Sequence, residues 1–384
     1  MIAYFDNVEW PKLKFGDILE NITVRVDPRK IENEIFIGLK HIDSGRVQIK
    51  RHSYTKDLIG TKLKFSKGDV IFGKRNAYLR KAAVAEFSGI CSAHAMVFRA
   101  KKELIIPEFL PFFLHSEEFM SRAKMISEGS ISPTIKWKTL SKQEFKIPPL
   151  NEQKKILSLF LILENQIERT EDQEKNLLQT KRQLLNELFS DKGDFAGYLT
   201  SEDYKLISFG ELAQNMSKRV DPSQTDLEIY IGLEHLDPDN LKIERHGVPA
   251  DVKGTKLLIR EGDIIFGKRR AYQRKVAVAH FDGICSAHSM VLRAKDEVVK
   301  KEFLPFFMQS DVFMNRAIQI SEGSLSPTIK WKVLEKQRFN IPGIEFQDKL
   351  IEIFSQFDNL IFKLRDQNES LRKVKHKLLD EIFK

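Results

Sequence analysis

The chain has 384 residues, 42% of them apolar, and a formal net charge of +9. That length holds two ordinary domains with connecting segments, and the apolar fraction excludes disordered and fibrous classes. The cation surplus favours a polyanionic partner, while just two cysteines, Cys91 and Cys285, exclude a disulfide framework and fit a reducing cytoplasm.

In chain order, the first residues, Met1 to Asp6, include an acid and no long apolar run, which argues against a signal peptide. No apolar stretch approaches the ~20 residues of a membrane span. Short β-rich runs follow at Glu34–Leu39, Asp69–Phe72, Ala82–Phe87 and Ala95–Phe98, bounded by glycine or charge. Apolar residues at three-to-four spacing predict a helix over Glu108–Met125, with a kink or late start at Pro111. From Asn151 to Ser190 glycine and proline vanish, and Ile156, Phe160, Leu163 and Ile167 open a 4-3 apolar stripe with Asn151 as the expected N-cap. Thr170 and Glu174 interrupt this stripe. A polar, two-glycine stretch over 191–203 reads as a linker.

The chain then repeats itself. Residues 25–148 recur at 219–342 without insertion or deletion, at a constant offset of 194. Between Gly68 and Arg99, 24 of 32 positions are identical in the second copy. Solenoid repeats run ~20–50 residues, so this is a whole domain used twice. The second helical stripe, over 345–384, carries Leu350, Phe354, Phe357 and Ile361, with polar breaks at Asn368 and Lys375. Apolar stripes on helices of about 60 Å must be covered, and the helix of the other copy is the expected cover, with polar breaks fixing register.

The densest basic segment is Lys62–Lys81, where seven cations face one acid; Lys256–Lys275 repeats it with seven against two. Here a strand runs into a loop bearing Lys74, Arg75, Asn76, Tyr78, Arg80 and Lys81, matched by Lys268, Arg269, Arg270, Tyr272, Arg274 and Lys275. Arginine forks suit guanine edges and lysines suit phosphates, so these are candidate DNA contacts; the bland alternative is a solvated loop. Gly68 to Lys74 imitates a phosphate-binding loop, but arginine replaces the magnesium-binding Ser/Thr in both copies, and the intervening residues read as a strand. Cys91-Ser92-Ala93-His94 and Cys285-Ser286-Ala287-His288 lack a CxxC pair; a buried thiol and a histidine that packs or meets DNA are expected, with no metal. His94 and His288 therefore join the candidate contacts. A turn, Ser127-Glu128-Gly129-Ser130, precedes Lys136-Trp137 and recurs through Ser324, Lys330 and Trp331. Its hydroxyls and lysine can clamp a phosphate, whereas the tryptophan equally fits a core plug. Catalytic signals fail: Glu144-Phe145-Lys146 imitates a nuclease tail, but its counterpart is Arg338-Phe339-Asn340, and there is no methyltransferase or helicase signature.

The basic Gly-Lys-Arg-x-Ala-Tyr-x-Arg-Lys segment, the Ser-Glu-Gly-Ser turn and Ile147-Pro148-Pro149-Leu150-Asn151-Glu152-Gln153 opening a long helix stand in one order. With the duplication, this resembles the DNA specificity subunit of Type I restriction–modification systems over essentially the whole chain. The second helix opening keeps only Pro342 and Gln347 of that pattern. The resemblance implies an α+β fold: two pseudo-twofold-related target recognition domains, 1–150 and 204–344, separated by spacer helices 151–190 and 345–384 packed as an antiparallel coiled coil. It implies a non-catalytic chain whose domains each read half of a split DNA site. Two modification subunits using S-adenosylmethionine to methylate adenine, and optionally two ATP-dependent restriction subunits with magnesium, would be partners; this chain binds no cofactor. Matching halves point to an inverted-repeat site, with Asn76 against Arg270 and Leu79 against Gln273 as breaks in symmetry. The alternative is a standalone bipartite DNA-binding regulator of the same fold.

Overall fold

The computed structural model describes residues 10–31, 34–55, 58–189 and 204–384. The expected linker over 191–203 and the end of the first spacer helix at Ser190 lie outside them. The chain folds into two units: residues up to Arg169 with Gln367–Lys384, and Thr170–Asp366. Each is α+β.

In the first unit a four-stranded antiparallel sheet runs in the order Leu19–Ile22, Ala95–Ala100, Val70–Gly73, Ala82–Val84. A mixed five-stranded sheet runs Arg25–Val26, Lys62–Phe65, Gly89–Cys91, Ile35–Ile37, Ser53–Tyr54. The β-rich runs read from sequence are therefore strands. Val70–Gly73 is buried at every position, as expected of a strand covered on both faces. Beside it, Asp69 is 2% exposed and accepts both arms of the Arg99 guanidinium at 2.8 Å, so the acid of the phosphate-loop imitation is a structural ion. The core is built largely from phenylalanine: Phe15 packs against Phe98, Phe119, Phe145 and Trp137 at centroid separations of 5.4 to 6.2 Å. Trp137 is thus committed to packing. The second unit repeats the four-stranded sheet as Ala213–Asn215, Met290–Ala294, Ile264–Phe266, Val276–Val278, and Phe209 takes the place of Phe15.

The helix expected over Glu108–Met125 is two helices, Leu110–His115 and Glu117–Met125. The late start at Pro111 holds, since the first helix opens at Leu110 with Pro111 in its first turn, and the break between the two helices falls at Ser116. Its backbone is extended, and its hydroxyl accepts from the Phe119 amide at 3.3 Å as an N-cap ahead of two glutamates. Ser310 does the same before Asp311.

The two long helices span Leu150–Phe189 and Ile344–Ile382, and each contributes one end to each unit. Asn151 is not the N-cap, because the helix already starts at Leu150 behind Pro149, whose carbonyl accepts from the Gln153 amide at 2.9 Å. Gln153 itself is fully buried. Its side chain donates to the carbonyls of Leu104 and Pro148 and accepts from the Ile106 amide, each at 2.8 Å. Gln347 repeats this with Pro342 and Lys300, which explains why those two residues survive in the degraded second motif.

Within each unit the helix segments pair antiparallel. In the first, Asn368 donates to the Ile167 carbonyl at 3.1 Å, and Lys375 meets Glu164. In the second, Lys181 meets Asp358 at 2.5 Å and Arg365 meets Glu174 at 2.7 Å. The polar breaks at Glu174, Asn368 and Lys375 hence face the paired helix. The stripe also has a second task that its periodicity does not disclose. Phe160 stacks on Phe112 at 5.0 Å and Phe354 lies 5.5 Å from Phe306, so these two rings seat the helices on the domains and are not simply helix–helix contacts. Ile156 and Leu350 lie in the same two cores, with Leu163 and Phe357 partly buried against them; Ile167 and Ile361 are buried farther along.

Candidate nucleic-acid interface

Strand Val70–Gly73 delivers the chain to the basic loop. Residues Ala77–Leu79 make one 3-10 turn flanked by two left-handed residues, Asn76 at φ 55° and Arg80 at φ 49°. Arg270 and Arg274 repeat this at 57° and 55°. A left-handed arginine is uncommon and needs holding in place. The Arg80 guanidinium does so by bonding the His115 carbonyl and Glu117, and Arg274 bonds Gln309, Asp239 and Asp311. Both arginines, expected at DNA, anchor the loop within the protein. Lys81 and Lys275 are similarly turned inward, donating at 2.6 Å to the carbonyls of Leu39 and Leu233. Lys74 and Lys268 are half-buried, and burial pulls both below the ordinary lysine pKa.

What remains outward is narrower. Arg75, Tyr78, Tyr272 and Arg270 are exposed, Asn76 partly so. The turn carrying Ser130 lies against this loop. Glu128 and Thr134 exchange both backbone hydrogen bonds, at 3.1 and 2.9 Å. The Asn76 amide donates to the Pro133 carbonyl at 2.9 Å and the Ile135 amide to that of Lys74 at 3.0 Å. The Arg75 guanidinium donates to the Ser132 hydroxyl at 2.8 Å. The second unit keeps the backbone pairing through Glu322, Thr328, Arg270, Pro327, Ile329 and Lys268. Sequence motifs some fifty residues apart are thereby one surface. Ser130 and Ser324 are exposed, whereas Lys136 and Lys330 are exposed but paired with Glu128 and Glu322 at 2.5 and 2.6 Å.

The side chains differ between units. Arg270 reaches the Ser326 hydroxyl at 3.3 Å, the place Arg75 fills in the first unit. Arg269 is thereby directed to His288, whose ring nitrogen Nε2 lies 3.2 Å from it. Burial, then Arg269, lowers the His288 pKa, favouring a neutral ring that accepts from the guanidinium. His94, its counterpart, is exposed. The second unit therefore presents one more guanidinium than the first.

The cysteines do not join this surface. Both are buried, and burial pushes each thiol up to about 12. His41 and His235 spend Nδ1 accepting from the Gly38 and Gly232 amides. Among the described residues no group of three or more His, Cys, Asp or Glu is placed to hold a metal, and no helix is long and apolar enough to cross a membrane.

The inward and outward arginines are separable by mutation. Arg80→Ala should cost about 1.5–3 kcal/mol in chemical denaturation, the value of charge-assisted bonds. Arg75→Ala should leave stability within about 0.5 kcal/mol while weakening binding to the cognate duplex about tenfold in a gel-shift titration.

Sequence reasoning named Gln153 and Gln347 only as motif members and missed their buried hydrogen bonds, the buried Lys181, and the tip residues Ile131 and Leu325. The 4-3 spacing from Leu177 through Leu184 lands on Lys181. The glutamine recurs at the repeat offset, a signal that was present.

A basic loop and a glycine turn form one hydrogen-bonded surface in each of the two units. The sequence model described as Type I restriction modification DNA specificity domain matches residues 7–180 and 247–372. The chain belongs to that family, whose members are the non-catalytic specificity subunits of these systems. A relative, the Type I restriction enzyme MjaVIII specificity subunit of Methanocaldococcus jannaschii, is 22% identical over 97% of this chain and 91% of its own length. The fold is similar to a chain from a solved type I restriction–modification system studied for complex assembly and conformational transition. The TM-score is 0.58 at 19% identity, covering 98% of this chain and 97% of that one. It is also similar to the type I system S subunit from M. genitalium, with TM-score 0.56 at 14% identity over 99% and 97% of the two chains.

Proposed function

We propose that each unit reads one half of a bipartite duplex site and that the chain positions two modification subunits to methylate adenine there. The observation that carries this reading is the recurrence of the loop–turn surface, on the same backbone hydrogen bonds, in both units. Readers so alike fit a site whose halves form an inverted repeat. Arg75 and Arg269 supply forks for guanine edges, Tyr78 and Tyr272 flat contact area, and Lys74 and Lys268 phosphate attraction. The extra guanidinium of the second unit breaks the symmetry at one base. The long helices Leu150–Phe189 and Ile344–Ile382 set the separation of the half-sites and offer the modification subunits a docking surface. S-adenosylmethionine, and ATP with magnesium where two restriction subunits join, belong to those partners and not to this chain. The complex works in the cytoplasm, on the chromosome.

Long-read mapping of methylated adenines in the source genome tests this. A split motif with inverted-repeat halves that disappears on deletion of the gene is expected. Unrelated halves would overturn the symmetry, and an unchanged methylome the whole reading.

A further inference from the structure

The tips of the two glycine turns carry an unusual pair of side chains. Ile131 is 94% exposed and Leu325 is 91% exposed, the highest values among the large apolar residues described. They occupy equivalent positions, directly after Ser130 and Ser324. Gly129 and Gly323, at φ +103° and +108°, make the turns that raise them. A branched aliphatic residue held wholly in water at both sites contributes nothing to either core. Its side chain gains from burial only against a partner.

The surroundings identify that partner's chemistry. Each turn is tied to the arginine loop by the backbone bonds between Asn76 and Pro133, or Arg270 and Pro327. Guanidinium groups stand beside it: Arg75 on Ser132, one residue after Ile131, and Arg270 on Ser326, one residue after Leu325. A protein partner matching this patch would need apolar surface ringed by acids; a duplex supplies phosphates at the rim and apolar base surface within the groove. Charge and hydrophobicity together match the duplex.

We infer that Ile131 and Leu325 are specificity-determining contacts that enter the groove and pack against bases, one in each half-site, beside the guanidinium groups of the arginine loop. The inference rests on the DNA-reading role proposed above. It predicts that the two residues contribute to recognition of sequence and not to attraction by phosphates. Removing them should lower affinity for the cognate site without changing how steeply binding falls with salt, since counterion release counts phosphate contacts.

The test uses the full-length chain with its modification subunits, a duplex carrying the mapped methylation site, and a scrambled duplex of equal composition. Ile131→Ala with Leu325→Ala should cut the cognate-to-scrambled affinity ratio by about tenfold or more, the worth of one buried aliphatic side chain. The salt slope on cognate DNA should keep its wild-type value. Ile131→Val with Leu325→Ile, which retains apolar bulk, should restore most of the ratio. Both positions are solvated, so folding is not at stake. An unchanged ratio in the alanine variant overturns the inference, as does a shallower salt slope with an unchanged ratio. Failure of the wild-type complex to distinguish the two duplexes overturns instead the reading on which the inference rests.

Discussion

Phe383→Ala is expected to destabilise the unit that holds residues 10–169 by about 3–5 kcal/mol, the cost of emptying a packed aromatic site. Phe383 is 5% exposed and lies 5.7 Å from Phe109, 5.5 Å from Phe113 and 6.2 Å from Trp10. Leu379 and Ile382 share that core with Ile156 and Phe160. A residue near position 384 thus closes a hydrophobic core whose strands lie before position 147. Urea unfolding followed by tryptophan fluorescence will report it, because Trp10 and Trp137 both sit in that unit while Trp331 serves the other. The mirror substitution, Phe189→Ala, should strike the second unit, where the ring packs 6.0 and 5.0 Å from Phe303 and Phe307. Loss of less than about 1 kcal/mol would mean that the helix end is not part of the core it is seated in.

The second large effect concerns a buried charge. Lys181 has a side chain only 4% exposed, and its ammonium is satisfied by Asp358 at 2.5 Å and Gln309 at 2.8 Å. Burial pulls its pKa below the ordinary lysine value, and the carboxylate opposes that pull. Asp358→Ala leaves the cation without its counter-ion and should cost about 3–5 kcal/mol, whereas Lys181→Met with Asp358→Leu should recover most of it. Equilibrium denaturation of the two variants decides the matter. Equal loss in both would show that packing volume, and not the unpaired ion, sets the penalty. The first unit holds the equivalent ions as Lys375 and Glu164 but has His115 where Gln309 stands. Burial, with Lys375 and Arg80 nearby, pushes that imidazole down to about 3, so it is neutral at ordinary pH.

Much of this architecture was readable from residues alone. The internal recurrence at offset 194 announced two like domains, and 4-3 periodicity over stretches nearly free of glycine and proline announced two long helices. Those signals survive because they are properties of the chain in one dimension. Contacts that depend on where a side chain ends are different. Phe160 at a stripe position satisfies a helix–helix seam and a helix–domain seat equally well, so periodicity alone does not separate them. Arg80 and Arg75 are both cations in one basic loop; the left-handed backbone at Arg80 and the acceptors around it turn one inward and leave the other outside. The Ser116 break was legible in principle, since serine followed by two glutamates is a helix start, yet the apolar spacing ran straight through it.

The seating of the helix ends also fixes an order of events during synthesis. Residues 378–383, which complete the core around Phe109 and Phe113, are translated only after every strand of the second unit has been made. At roughly 5–20 residues per second, the first lobe spends on the order of ten seconds or more with part of its apolar interior uncovered. Protection during that interval falls to the ribosome's surroundings and to chaperones, and nascent chains stalled before position 378 should be aggregation-prone or protease-sensitive in their oldest part.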